Sequence, residues 1–350
     1  MVTFNELPNE ILLMICKELN DIDILYSLRN VNERFNQIIH NLLLINRLTF
    51  VQRTYFHFVD LISSDEILYQ FTSNILPQIA DQIEWIDLES SRMEDILRAT
   101  NYNNLHGLGL YNINEISAKY LLSEANVCCG RLKNSIRKLV MTFSNEFETS
   151  YEIFLFMSNL VNEIFNILPG LTTLVFSEVK YQNCFRLDFS ESPLNCFTSP
   201  ILQKLIVHVE NFDDCLYLLD GRFPQLETMH VDLITIRPPK HVRSEGFLPY
   251  LKRFALSCRW LTYDYDETIP PLLRRMLNLT KLNLCLTLGL FSQKIVDGNI
   301  IRRDIISQLP KLKKFDFFIH SITFKQNEDT ISSIDDIQRT FIGFEKSSVR

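Results

Sequence analysis

One hydrophobic spacing, apolar-x-x-apolar-x-apolar, occurs nine times between residues 83 and 317, with starts about 22 to 35 residues apart. The last three positions of each copy alternate apolar, polar and apolar, which is typical of a strand with one buried face. The pattern therefore predicts nine short strands. The nine copies are 83–88, 105–110, 136–141, 171–176, 202–207, 226–231, 251–256, 279–284 and 312–317.

Helical patterns lie between several of these strands. The clearest are Tyr151–Leu168, Asp213–Leu219, Pro271–Leu277 and Ile300–Leu309. A unit of one strand and one helix cannot bury its own apolar face, whereas a stack of such units builds one continuous core. An α/β solenoid with a curved parallel sheet is the first interpretation. An α/β fold with a flat parallel sheet is the rival, although the sequence has no GxGxxG motif or P-loop to favour nucleotide binding.

Three short amphipathic helices are predicted before the repeats. Pro8 suits the first turn of the first helix, while Asp23 and Asn32 are suitable N-caps for the second and third. The apolar positions are Leu7, Ile11, Leu12, Ile15 and Leu19 in the first helix, Leu25, Leu28 and Val31 in the second, and Phe35, Ile38, Ile39 and Leu42 in the third. So small a core buries little apolar surface, so the first helix is covered either by the rest of the chain or by a partner.

The order of these residues resembles an F-box over residues 3–48. The resemblance rests on Leu7-Pro8-Asn9-Glu10-Ile11-Leu12, Ile15, Leu19, Asp23-Ile24-Leu25, Leu28, Val31-Asn32 and Phe35. It implies a three-helix module that docks on the Skp adaptor of SCF-type cullin–RING ubiquitin ligases. The adaptor-binding residues it implies are Leu7, Pro8, Ile11, Leu12, Ile15, Leu25, Leu28, Val31 and Phe35. Two departures are Asn32, where the family often has cysteine, and the stretch 41–45, which lacks the family's tryptophan.

The repeats in turn resemble the longer, irregular leucine-rich repeats that follow many F-boxes. The predicted organisation is an F-box at 1–48, a helical linker at 49–82, a leucine-rich-repeat-like solenoid at 83–324 and a C-terminal cap and tail at 325–350. We expect the linker helices to pack between the F-box and the first strand, which makes the joint stiff. In the tail, Ile331, Ile334, Ile337 and Phe341 favour one capping helix, and the last six residues are expected to be frayed.

The alternation within each repeat predicts which side chains form the concave face. Positions three, five and seven of each unit point outward, and position three is basic in five of the nine units. The candidate target-binding residues are Trp85, Asp87, Tyr111, Lys138, Lys204, His208, His230, Arg253, Lys281 and Lys314. We hypothesise a docking groove for an acidic or phosphorylated segment. The alternative is a column of solvated lysines with no ligand.

Charge and composition argue against several classes of function. A net charge of −7 gives no general basic field for nucleic acid or anionic membranes. No apolar run reaches a membrane span, and the start lacks the basic region of a secretory signal. The eight cysteines form no CxxC pair, which indicates a reduced, cytoplasmic or nuclear protein. Without HExxH, zinc spacing or GxSxG, we expect no metal, no cofactor and no enzyme activity.

The sequence therefore predicts the substrate-recognition subunit of an SCF-type ubiquitin ligase. Its partners would be the Skp adaptor, cullin through that adaptor, and an unknown protein target. The alternative is a non-catalytic repeat scaffold or inhibitor whose N-terminal helices only cap the solenoid.

Overall fold

The structure of the chain is a computed structural model. The structure describes residues 6–29, 31–42, 46–54, 57–62, 64–122, 132–144, 160–177, 186–189, 197–239, 246–290, 296–323, 334–342 and 347–349. It forms two compact units. The N-terminal unit comprises Met1–Thr149, Asn166–Leu171 and Ser177–Cys184, and the C-terminal unit comprises Ser150–Phe165, Thr172–Phe176 and Phe185–Arg350.

Three helices open the N-terminal unit. They are α1 (Asn9–Lys17), α2 (Asp21–Leu28) and α3 (Glu33–Leu42). The side chain of Asn32 accepts a hydrogen bond from the Phe35 amide at 2.9 Å, so the predicted cap of α3 is confirmed. The predicted cap of α2 is wrong. Asn20 caps this helix, because its side-chain oxygen accepts from the Asp23 amide at 2.9 Å.

The segment after α3 begins with three short strands, β1 (Arg47–Thr49), β2 (Val51–Arg53) and β3 (Phe58–Asp60). Here the prediction of a helical linker is wrong, because β2 and β3 form an antiparallel pair. Backbone hydrogen bonds of this segment join residues that are far apart in the sequence. The Phe50 amide, for example, donates to the Asp87 carbonyl at 2.8 Å. Such tertiary pairing overrides a local helical pattern.

The second half of the linker is helical, as predicted. Ser64 caps α4 (Asp65–Gln70), and a π-helical turn (Phe71–Ile75) leads into α5 (Leu76–Ile79) and a 3-10 turn (Ala80–Gln82). Leu76 and Phe71 are fully buried. This helical segment thus belongs to the core of the N-terminal unit.

The sheet of the N-terminal unit is parallel. It contains β1, β4 (Trp85–Glu89), β5 (Gly107–Ile113) and β6 (Lys138–Phe143), paired in that order. A 3-10 turn with α6 (Met93–Arg98) follows β4, and α7 (Glu115–Leu122) follows β5. The short β1 was not predicted as a strand.

The C-terminal unit is a second run of parallel strands, each paired with the next along the chain. Its strands are β7 (Thr173–Phe176), β8 (Lys204–Asn211), β9 (Thr228–Thr235), β10 (Arg253–Thr262), β11 (Lys281–Leu290), β12 (Lys314–Thr323) and β13 (Ser347–Val349). Its labelled helices are α8 (Phe212–Leu218), α9 (Tyr265–Arg274), α10 (Gly298–Asp304) and α11 (Ile334–Thr340). Residues 160–167 are also helical, and the rest of the predicted helix at 151–168 lies mostly outside the described residues.

All nine predicted strands are present, and each begins at the third position of its motif. Along β8, Leu205, Val207 and Val209 are buried, while the alternate side chains are partly exposed. One covered face and strands in chain order fit stacked repeats, whereas an α/β sheet with helices on both faces would bury both sets. The architecture is therefore α/β, with N-terminal helices followed by a large parallel sheet.

Two described segments near the end of the chain, 334–342 and 347–349, contain regular structure. Helix α11 forms as expected, and Phe341 stacks on Phe317 with ring centroids 5.9 Å apart. Ile331 lies outside the described residues. The expectation of a frayed terminus is wrong for Ser347–Val349, because these residues pair with β12. None of the described helices is long and apolar enough to cross a membrane.

Candidate interaction surfaces

Helix α1 presents apolar side chains to solvent. Ile11, Met14 and Ile15 are 42%, 65% and 36% exposed, and their spacing places them on one face of the helix. We call these three residues the α1 surface. Pro8 before the helix and Leu19 after it are exposed as well. Met14 was not among the predicted adaptor-binding residues, although its three-residue spacing from Ile11 is a signal that the sequence contains.

Other predicted adaptor-binding residues lie elsewhere. Leu12, Leu25 and Phe35 are at most 1% exposed, and we correct their assignment: they support the helices and offer no surface to a partner in this structure. Leu7 and Leu28 are half-buried against the cluster formed by Leu12, Phe35 and Ile38. Of the predicted set, Pro8, Ile11, Ile15 and Val31 are exposed.

Two contacts fix the helices on the body of the N-terminal unit. The ring of Tyr26 on α2 stacks on Phe71 with centroids 6.5 Å apart, and Phe71 meets Phe50 edge to face at 5.8 Å. Arg29 donates from Nε to the side chain of Gln78 at 3.4 Å. Phe71 is buried and thus links α2 to Phe50, which lies between β1 and β2.

The first predicted target-binding residues form a closed network. The Asp87 carboxylate accepts hydrogen bonds from Arg47 Nε at 2.8 Å, Thr49 at 3.3 Å, Trp85 Nε1 at 2.8 Å and the Tyr111 hydroxyl at 2.9 Å. Asp87 is 1% exposed and Tyr111 is 8% exposed. Burial, together with the nearby Asp87 carboxylate, raises the pKa of Tyr111. We correct the assignment of Asp87 and Tyr111, because this network satisfies them within the protein.

Glycines make room for this network. A Cβ on Gly107 would overlap the Trp85 ring, and a Cβ on Gly109 would overlap the Asp87 carboxylate. Both glycines occupy outward positions of their motif, where other repeats carry side chains. The side chains of β4 therefore fold over β5, and they cover the outer face at this end of the N-terminal unit.

The C-terminal unit carries the basic positions in register. Lys204 on β8 and Arg253 on β10 lie on either side of Thr228, and Lys281 and Lys314 continue the row on β11 and β12. We call Lys204, Arg253 and Lys281 the basic row. Lys314 differs from them because its Nζ lies 3.0 Å from Asp316. Lys138, the fifth basic position, belongs to the sheet of the N-terminal unit, in register with Gly107.

The two predicted histidines lie on paired strands but in different rows. His230 on β9 is opposite Ile206 on β8, in the row next to the basic row. His208 on β8 is opposite Asp232 on β9, one outward row further along the strands. Burial, with Lys204 and Arg253 close by, lowers the pKa of His230. The charged form of His230 is therefore disfavoured, although part of the residue is open to solvent.

Asp232 is the centre of a second polar network. Arg186 lies 2.6 Å from its Oδ2, Ser257 donates to its Oδ1, and His208 Nδ1 lies 3.7 Å away. Burial acts to raise the pKa of Asp232, but His208, Ser257 and Arg186 outweigh it and hold that pKa well below its usual range. Arg186 was not predicted, because it lies outside the repeated motif and contacts Asp232 only in the fold.

The described residues show no metal-binding constellation. No group of three or more His, Cys, Asp or Glu side chains is placed to hold an ion in the ranges that the structure describes. A cleft of about 380 Å³ on the helical side of the C-terminal unit is lined mainly by apolar residues, with Glu267, Arg274 and Arg275 among them. Arg275 donates to the Gly246 and Leu219 carbonyls, so its guanidinium is part of the local structure.

Comparison with known proteins identifies the N-terminal helices. Residues 4–51 match the family model described as F-box-like, which covers α1 to α3 and β1. The F-box predicted from the sequence is thereby confirmed, and the N-terminal helices belong to an F-box-like domain. The match ends three residues beyond the predicted boundary at residue 48.

A search of curated proteins finds no match. Among solved structures, the chain is similar to a protein from Bacteroides fragilis that was a structural genomics target. The identity is 12%, with 66% of this chain and 68% of that chain covered, and the TM-score is 0.27. A likeness this weak carries no argument about the fold or the function of this protein.

Proposed function

We propose that this protein is the substrate-recognition subunit of an SCF-type ubiquitin ligase in the cytoplasm or nucleus. In this proposal the F-box-like domain docks on the Skp adaptor, and through it on cullin, while the outer face of the repeats binds a protein target. The observation that carries the proposal is the exposed α1 surface on a domain of the F-box-like family.

The α1 surface can supply binding energy. Burying one whole apolar side chain of this size contributes roughly 1.5–3 kcal/mol. Ile11, Met14 and Ile15 are partly exposed, so each contributes a fraction of that amount, and Leu19, Tyr26 and Val31 add further exposed apolar area. Several such contributions are needed, because association costs at least about 4 kcal/mol in lost translational and rotational freedom.

The proposed mechanism is proximity, and the protein forms or breaks no bond itself. A target held on the repeats of a chain that is docked on a ligase meets the ubiquitin-conjugating enzyme at a high effective concentration. The packing of Tyr26 on Phe71 and of Phe71 on Phe50 supports this role, because it attaches α2 to the helical segment that precedes the first repeat strand.

The test is co-purification of the full chain with the Skp adaptor. We expect the wild type to bind and the variant Ile11→Asp/Ile15→Asp to lose binding, with an unchanged unfolding curve. The control is Ile116→Asp, which places the same substitution at an 80% exposed isoleucine on α7, away from α1. A wild-type chain that does not bind the adaptor, or a double variant that binds as well as the control, would refute the proposal.

The second candidate function is a repeat scaffold or inhibitor whose N-terminal helices only cap the sheet. The observation in its favour is the burial of Leu12, Leu25 and Phe35, since these residues give the helices a structural role without any partner. The same experiment separates the two candidates. A scaffold would capture its protein target, and that capture would be independent of the adaptor and of the α1 surface.

A further inference from the structure

The basic row lies on an open sheet face of the C-terminal unit. Lys204, Arg253 and Lys281 occupy the same position of their motifs, so their side chains project from one face in one line across the strands. Neighbouring strands are about 4.8 Å apart, which separates Lys204 from Arg253 by about 10 Å and Arg253 from Lys281 by about 5 Å. Three positive charges therefore stand in a line about 15 Å long on a protein whose net charge is −7.

The described residues do not neutralise these three charges. Over the described parts of the chain, no carboxylate lies within ion-pair distance of Lys204, Arg253 or Lys281. Other cations of the same unit are paired, for example Lys252 with Glu227 at 2.7 Å and Arg303 with Asp304 at 2.6 Å. Cations placed side by side on a sheet destabilise each other, and an anionic ligand would relieve that repulsion.

Neighbouring side chains do not cancel the positive field. His230 lies in the next row between Lys204 and Arg253, and its lowered pKa disfavours its charged form. Asp232, one row further, is held by Arg186, so its negative charge is already compensated. The described surface at the start of β8 to β11 is therefore positive, with Ile206 and Ala255 on either side of His230 in the next row.

The spacing of the charges favours carboxylates over a phosphate. A phosphate site brings several donors, usually including bidentate arginines, to one point. The basic row instead has one cation per strand, and two of the three are lysines. In an extended peptide, alternate side chains point to the same side and recur about every 6.6–6.8 Å. A segment of about five residues, with acidic side chains at alternate positions, therefore spans most of the row.

We infer that Lys204, Arg253 and Lys281 hold an extended acidic segment of the protein target, which crosses β8 to β11 on the outer face. Opposite charges supply most of the attraction, so the binding weakens as salt rises. The inference rests on the proposed function only in taking the segment to be part of the ligase target.

The test measures binding of a fluorescein-labelled twelve-residue peptide with alternating glutamate and serine to the full chain. We expect saturable binding, at least tenfold weaker for Lys204→Glu/Lys281→Glu. The control is Lys133→Glu/Arg274→Glu, which makes the same charge change at exposed residues outside the row. It should bind within about twofold of the wild type. The same peptide with glutamine in place of glutamate should not bind.

Several outcomes would overturn the inference. They are no binding of the acidic peptide to the wild type, equal loss in the control and row variants, or at least tenfold tighter binding of a phosphoserine peptide or a single-stranded RNA of equal charge. The variant Ile11→Asp/Ile15→Asp separates the two proposals. It should keep peptide binding while losing the adaptor, whereas the row variant should keep the adaptor.

Discussion

The guanidinium of Arg47 lies 2.7 Å from the carboxylate of Asp87 on the neighbouring parallel strand. The Arg47 side chain is 57% exposed and that of Asp87 only 2%. Arg47 also lies 5.0 Å from the centroid of the Trp85 ring. A single buried carboxylate thus joins the strand that follows the F-box-like helices to the first strand of the repeats.

Removing this carboxylate should destabilise the N-terminal unit. Asp87→Ala leaves the Trp85 and Tyr111 donors without their acceptor, and we expect a loss of roughly 2–4 kcal/mol in the free energy of unfolding, measured by urea titration. The control is Asp65→Ala, because Asp65 is 93% exposed and also faces an arginine, Arg92. It should cost less than about 1 kcal/mol. Equal losses for the two variants would contradict the structural role of Asp87.

Gly109 should not tolerate a side chain while Asp87 is present. Gly109→Ala places a methyl group against the Asp87 carboxylate and the Tyr111 ring, and we expect a loss of roughly 1–3 kcal/mol in the free energy of unfolding. In the Asp87→Ala background much of the overlap is gone, so the same substitution should cost clearly less. A double-mutant cycle measures this coupling, and strictly additive effects would argue against the close contact.

The Phe71 ring should stabilise the packing of the F-box-like helices against the rest of the N-terminal unit. It is fully buried between Tyr26 and Phe50, so Phe71→Ala should cost roughly 3–5 kcal/mol in the free energy of unfolding. Limited proteolysis should also cut the N-terminal helices faster. Tyr69→Ala, on the preceding helix and 68% exposed, is the control and should change neither measurement appreciably. Unchanged proteolysis in Phe71→Ala would show that the joint does not depend on this ring.

Asp214 should make the C-terminal unit less stable as the pH rises. Its carboxyl accepts hydrogen bonds from the Phe189 amide at 2.8 Å and the Asn211 amide at 3.1 Å, but burial dominates and raises its pKa to about 7 from the ordinary 3.8. A pKa raised in the folded state contributes stability that is complete below about pH 4 and is lost as the pH rises to about 7.

The measurement for Asp214 is the difference in unfolding free energy between wild type and Asp214→Asn from pH 5 to pH 8. Asparagine does not titrate, so the wild type should lose stability relative to the variant, by up to about 1.4 kcal/mol per pH unit below pH 7. Taking the difference removes the contributions of all other titrating groups. Parallel curves for the two proteins would mean that Asp214 does not change its protonation in this range.

Local alternation was enough to predict the repeats. Leucine and other apolar residues recur with period two at the end of each motif, and burial of one sheet face requires that period. The three-residue strands β1, β2 and β3 could not be predicted this way, because long-range pairing stabilises them. Helix α9 begins at Tyr265 rather than at the predicted Pro271, so it accommodates Pro270 and Pro271 within its length.

The binding surfaces were predictable only in part. The alternation correctly placed Lys204, Arg253 and Lys281 on one outward row, since strand register follows from the motif. The alternation could not show that Arg47 and Tyr111 bind and cover the Asp87 carboxylate. It predicts the side of the sheet to which a side chain points, but not which other side chains cover it. Likewise the helical period gave the apolar faces of the N-terminal helices, but the packing of Leu12 and Phe35 against each other depends on how the helices cross.

Within each unit, the shared register at the start of neighbouring strands has a consequence for divergence. The segments that join them differ in length by more than ten residues, yet every strand begins at the same position of its motif. Insertions and deletions in the connections therefore leave the rows of outward side chains aligned. A change in the length of a connection is therefore compatible with the same outward rows, whereas a substitution at an outward position changes one side chain of a row and leaves the others in place.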